Sequence, residues 1–115
     1  MRIAAFRPSA LGALLCASVA AAAGEASLDA PISPARQRAL NYLLEQDCGS
    51  CHGMTRQGGL GPALLPQSLA GKSDALLIAT LLDGRPGTAM PPWRGQLTAS
   101  EAAWLVEQLR RGVVK

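Results

Sequence analysis

The chain has 115 residues, 49% apolar and only 3% aromatic, with 11 Lys+Arg, 8 Asp+Glu, one His and three Cys, for a formal net charge of +3. That length holds one small domain and excludes a multidomain enzyme or a polytopic membrane protein. The shortage of aromatic, Val and Ile residues argues against a β-sandwich or barrel, whose pleated half-buried surfaces depend on them.

In chain order, residues 1–23 come first as an export label. Arg2 and Arg7 give a basic start, 11–23 is a run of apolar or small residues, and the run closes on Ala21-Ala22-Ala23. This is the pattern of a cleaved secretory signal peptide. Its apolar stretch of 13 residues falls short of the roughly 20 that span a bilayer, which weighs against a retained anchor. Cys16 is read as filler of that stretch, since Leu15 stands where a lipoprotein signal needs a small residue. The mature chain of 92 residues then keeps 9 basic and 8 acidic side chains, a net charge of +1. A near-neutral exported domain gives no case for nucleic-acid binding, nor for a polybasic membrane patch.

Residues 24–33 have no periodicity and read as a flexible segment leading to the domain, 34–115. Ser33-Pro34 is a helix start, a hydroxyl cap followed by Pro at the first helical position. Ala39, Leu40, Leu43 and Leu44 then form an apolar stripe on a helix running to about Asp47. Residues 53–72 are rich in Gly and Pro and predict a long loop with at most one helical turn. Ser73 and Asp74 open a second helix with Leu77, Ile78, Leu81 and Leu82 on its apolar face and Gly84 at its end. A second Gly/Pro loop covers 84–97. Thr98-x-x-Glu101 is a capping box for a last helix, with Ala102, Leu105, Val106 and Leu109 on one side and Gly112 as its stop. Three helices joined by two long loops imply that something organises the space between them.

Cys48-Gly49-Ser50-Cys51-His52 follows the first helix. Two thiols at this spacing reach the two vinyl groups on one edge of a haem, and the adjacent imidazole comes up beneath the iron, the pattern of c-type haem attachment. Three other readings compete. A thioredoxin-like pair needs a preceding strand, a structural zinc site needs a fourth ligand, and a plain disulfide leaves His52 without a role. The second axial ligand follows by elimination. His52 is the one histidine, Met1 leaves with the signal, and Met54 is two residues from His52, a span of at most about 7 Å and too short to pass round a macrocycle. Met90 remains, between prolines and glycines that stiffen its loop; the alternative is Met90 as ordinary loop filler.

These motifs together resemble the small monohaem class I cytochromes c: Cys48 to His52 near the start, Gly61-Pro62-Ala63-Leu64 after it, and Met90 before the final helix. The resemblance covers most of 35–111. It implies an all-α fold, three main helices and long loops wrapped around one covalently bound haem c, with the first and last helices crossing. It also implies that the Pro62 carbonyl accepts a hydrogen bond from the His52 ring, which would fix the tautomer and raise its basicity. More narrowly, Gly53, Met54, Arg56 and Gly58, then Gly87, Met90, Pro91 and Trp93, are similar to the small cytochrome c of denitrification (nir) gene clusters. They are similar too to the c-haem domain of cytochrome cd1 nitrite reductases. Where class I families pair a small residue with an aromatic on the first helix, this chain has Leu40 and Leu44, so Trp104 is a candidate for the missing aromatic. Trp93 reads either as a haem-edge packer or as part of the apolar wall. Arg85 and Arg94 read either as propionate partners or as solvated loop charges.

His/Met ligation closes the iron and raises its potential, which suits one-electron transfer rather than substrate chemistry. The resulting expectation is a periplasmic electron carrier, not an enzyme, that acts with redox partner proteins. By resemblance these are cytochrome cd1 nitrite reductase and an upstream quinol-oxidising complex. Two alternatives stand beside it: an assembly factor for a haem-containing reductase, and a gas-binding or peroxidatic haem protein in which Met90 dissociates. Lys72 and Lys115 are the two lysines, so long-range steering of an acidic partner should be weak. Docking of a monomer is expected through an apolar patch around Leu60, Ala89 and Pro91–Trp93.

Overall fold

The computed structural model describes residues 30–112; the expected signal peptide (1–23), most of the expected 24–33 segment and 113–115 lie outside them. Helix α1 spans Pro34–Leu43, a π-helical turn continues it over Leu44–Cys48, and α2 spans Gly49–His52. Then come α3 (Pro66–Leu69), α4 (Asp74–Asp83) and α5 (Ala99–Arg111). Among the described residues there is no strand. The fold is all-α, as expected, and no helix among these residues is long and apolar enough to cross a membrane.

Local chemistry sets the helix ends. The Ser33 hydroxyl accepts from Arg36 N–H at 3.3 Å and Ser73 from Leu76 N–H at 3.2 Å, each satisfying a donor the first turn leaves open. Thr98 and Glu101 form a reciprocal capping box at 3.2 and 2.9 Å. Gly112 ends α5 in the left-handed region (φ 64°, ψ 19°), with its N–H on the Leu109 carbonyl.

The first helix differs from the sequence expectation. It does not stop near Asp47 but runs on through the π-turn, so Cys48, Cys51 and His52 sit in its final turns rather than past its end. The widened turn lets the backbone continue past Leu44, the last residue of the apolar stripe. Gly53 (φ 86°) is the actual terminator. Ala39 is also displaced from its expected role: it is exposed, and the buried stripe is Leu40 and Leu44, with Leu43 half-buried.

Helix α5 packs on α4, α1 and α3. Its buried side is Ala102, Leu105, Val106 and Leu109 as expected, facing Leu40, Leu44, Leu69, Leu81, Leu82 and Leu97. Trp104 is half-buried against this cluster and Tyr42 is 65% exposed, so the buried core is aliphatic apart from Cys48 and contains no aromatic ring. Two polar ties fix the helix arrangement. Arg36 Nε donates to Glu101 at 2.5 Å across α1 and α5. Arg110 donates to Asp74 at 2.6 Å, to the Leu69 carbonyl at 3.2 Å and to the Lys72 carbonyl at 2.5 Å, joining α5 to the start of α4 and the end of α3.

Candidate haem site

The interior is hollow. A cavity of about 700 Å³ opens between the helices and both loops, within the size range of cofactor pockets. Its apolar wall is built from core residues, Leu44, Leu69, Leu81, Leu105, Val106 and Leu109. Cys48, Cys51, His52, Pro62, Met90 and Trp93 all line it. The structure therefore brings these six residues to one place.

Cys48 and Cys51 stand as free thiols, the first buried and the second half-buried. Burial, with the Asp47 carboxylate adding to it, pushes the Cys48 thiol up to about 11, so it stays un-ionised at neutral pH. Among the described residues no three His, Cys, Asp or Glu side chains gather as a metal site, which leaves the zinc reading without a donor set. Among the described residues no strand precedes the pair, as a thioredoxin-like context would require.

His52 is oriented by the loop that follows it. Its Nδ1 lies 2.7 Å from the Pro62 carbonyl; a carbonyl only accepts, so Nδ1 carries a proton and donates, and in the neutral ring the lone pair is then on Nε2. The loop closes back on the motif: Gly58 N–H donates to the His52 carbonyl at 2.8 Å and Gly61 N–H to the Cys51 carbonyl at 2.9 Å. Sequence reasoning assigned Gly61 no separate role, yet a Cβ there would stand 2.6 Å from His52 Cε1 and 2.7 Å from Nδ1. The imidazole lies flat against bare backbone, and the glycine preceding Pro62 was the available signal. Arg56 turns in the same loop at φ 60°, giving its N–H to Gly53 at 2.7 Å and its carbonyl to Leu64 N–H at 2.9 Å; its Nη1 is buried without a hydrogen-bond partner among the described residues.

Met90 is half-buried and comes from the second loop, which hangs on the end of α4. Trp93 N–H is shared by the Leu81 and Leu82 carbonyls at 3.2 and 3.1 Å, and Arg94 N–H reaches Leu82 at 3.1 Å. Within the loop, the Thr88 hydroxyl donates to the Arg85 carbonyl at 2.6 Å and accepts from Met90 N–H at 3.3 Å. The two arginines separate here. Arg85 lines the cavity, whereas Arg94 does not and is tied to Asp83 at 2.6 and 2.9 Å on the exterior. Lys72, given no site role from sequence, also lines the cavity, so two cations accompany the exposed Leu60, Ala89 and Pro91 at its edge. Pro92, part of the expected docking patch, does not line it.

An all-α shell around a cavity lined by Cys-x-x-Cys-His and by a methionine from a Pro-flanked loop defines a c-type cytochrome. Residues 35–108 match the family described as cytochrome C oxidase, cbb3-type, subunit III, and the chain belongs to that cytochrome family. It is 56% identical over 79 residues to cytochrome c55X of Pseudomonas aeruginosa, an alignment covering 69% of this chain and 66% of that one. A solved structure of the c-type cytochrome NirC superposes with a TM-score of 0.70 at 55% identity, covering 71% of this chain and 96% of that one. The dihydro-heme d1 dehydrogenase of Pseudomonas aeruginosa is 45% identical over 67 residues, 58% of this chain but 14% of that one. These relatives fit a small cytochrome c of the nir cluster, with covalently bound haem c as its cofactor. The residues suit that group: two thiols, an imidazole whose Nδ1 is engaged by Pro62 and a thioether share one apolar cavity.

Proposed function

We propose that this cytochrome is a periplasmic one-electron carrier whose single haem is held through thioethers from Cys48 and Cys51 and ligated by His52 Nε2 and Met90 Sδ. The observation that carries this reading is that His52 and Met90 line the same cavity as both thiols, while the Pro62 hydrogen bond commits Nδ1 elsewhere. Haem c supplies a ferric/ferrous couple, and a His/Met ligand pair raises its potential. The chain's own residues do the rest. Pro62 strengthens His52 as a ligand by accepting a hydrogen bond from its Nδ1–H, the leucine wall excludes water, and Trp93 closes the cavity near Met90. With His52 and Met90 both on iron, no coordination position stays open for a substrate, and the protein works as a carrier rather than an enzyme.

Residues 1–23 act as a signal peptide cleaved near Ala23, 24–33 as a tether and 34–115 as the cytochrome domain. The partner proposed is cytochrome cd1 nitrite reductase, supplied through this monomer from a quinol-oxidising complex. A second reading is favoured by the likeness to a dihydro-heme d1 dehydrogenase: electron transfer during assembly of a reductase. Deleting the gene separates the two. A nitrite reductase made intact but reduced slowly supports the carrier, and one lacking its cofactor supports assembly. Export and covalent attachment are read by a haem-pigment assay on the periplasmic fraction, where pigment that stays with the polypeptide through acid-acetone extraction is expected and its absence overturns the proposal.

A further inference from the structure

Gly84 ends α4 with φ 67° and ψ −166°, a backbone region that glycine alone occupies without strain. It is also buried and packed against the peptide that carries Met90. A Cβ built on it would lie 2.7 Å from Pro91 C, 2.8 Å from the Met90 carbonyl oxygen and 2.8 Å from Pro92 N, where ordinary contacts begin at 3.4 Å. All three neighbours are backbone atoms, which no rotamer change can move aside. The Arg85 N–H, next along the chain, donates to the same Met90 carbonyl at 3.2 Å.

We infer that Gly84 is the positioning residue for Met90: its missing side chain sets how closely the Met90–Pro92 backbone seats on the end of α4. This rests on the proposal that Met90 Sδ is an iron ligand. A methyl at position 84 pushes that backbone outward by about half an ångström or more, whereas metal–ligand distances hold within about 0.2 Å. Pro91 and Pro92 stiffen the segment, so it moves as a unit rather than bending around the methyl. Gly87 supplies the internal control. It lies in the same loop at φ 76°, yet a Cβ there meets nothing within 4 Å. Gly84→Ala and Gly87→Ala both force alanine to a positive φ, and only the first collides with the methionine peptide.

The test uses the exported holoprotein in four forms: wild type, Met90→Leu, Gly84→Ala and Gly87→Ala. The readouts are the near-infrared methionine-to-iron band of the ferric protein and the reduction potential. A band in wild type that vanishes in Met90→Leu upholds the ligand assignment; its absence from wild type, or its survival in Met90→Leu, overturns that assignment independently of Gly84. Given the ligand, Gly84→Ala loses the band and drops in potential with its covalent haem and helical circular dichroism intact, and Gly87→Ala keeps both. A Gly84→Ala protein that retains band and potential overturns the inference, as does equal loss in Gly87→Ala. Should Gly84→Ala not fold, the substitution is placed in a Pro91→Ala, Pro92→Ala background, where the backbone can retreat. Recovery of the fold and of the band in that background supports the inference, and a protein that still fails to fold or to show the band there overturns it.

Discussion

The two Gly/Pro loops both serve the cavity, yet they are anchored differently. The first, from Gly53 to Leu65, ties itself to the turns that carry the thiols and imidazole: the Cys51, His52 and Gly53 carbonyls accept from Gly61, Gly58 and Arg56. Its geometry is inherited from the motif within a dozen residues. The second, from Gly84 to Leu97, hangs on the Leu81 and Leu82 carbonyls at the end of α4, so Met90 is placed only as well as α4 is packed. One side of the site is locally determined. The other depends on tertiary packing, which is where a lower-energy opening is expected.

The most severe way to challenge the local side is to remove the thiols. Cys48→Ala with Cys51→Ala should abolish covalent haem altogether, read by haem staining of a denaturing gel; any retained stain contradicts the assignment. Next come core truncations. Leu40→Ala and Leu82→Ala, at residues 0% and 5% exposed, should each cost about 2–5 kcal/mol in urea unfolding. Only Leu82→Ala should also speed hydrogen exchange at the Trp93 amide, since it loosens the end of α4. Equal exchange in both variants would erase the distinction between the loops.

A smaller effect belongs to the tie between α1 and α5. The Arg36 hydrogen bond chiefly, aided by the Thr98 N–H and hydroxyl, holds the Glu101 carboxyl below the usual carboxylate range. Its stabilisation is therefore complete above the unfolded-state value of about 4.3 and is lost as pH falls through the lower folded value. Glu101→Gln should cost about 1 kcal/mol at neutral pH and flatten the acid limb of the stability curve; an unchanged limb would remove Glu101 from the account. Least of all, Arg94→Ala breaks an ion pair with both partners more than half exposed. It should change stability by no more than about 0.5 kcal/mol and leave the haem spectrum alone. A spectral change would mean that Arg94 reaches the site after all.

What the sequence disclosed follows the same division. The helix caps at Ser33, Ser73, Thr98 with Glu101, and Gly112 were legible because each is a contact within four residues. The Cys48–His52 spacing and the buried side of α5 were legible for the same reason. The continuation of α1 to His52 was not, because a π-turn leaves no periodic mark and the apolar stripe ends at Leu44. Ala39 was misplaced since a stripe of four candidates does not say which edge faces inward. Arg94 remained open because its partner, Asp83, is set by how the second loop folds back. Gly84 was recognised as a helix stop, while its close approach to Met90 needed the two segments in space.

Absorption of the ferric holoprotein in the near infrared tests the central claim most directly, that one haem is held between His52 and Met90. The account predicts a methionine-to-iron band in wild type that disappears in Met90→Leu while covalent haem is retained. A wild-type spectrum without that band, or a band that survives the substitution, would contradict it.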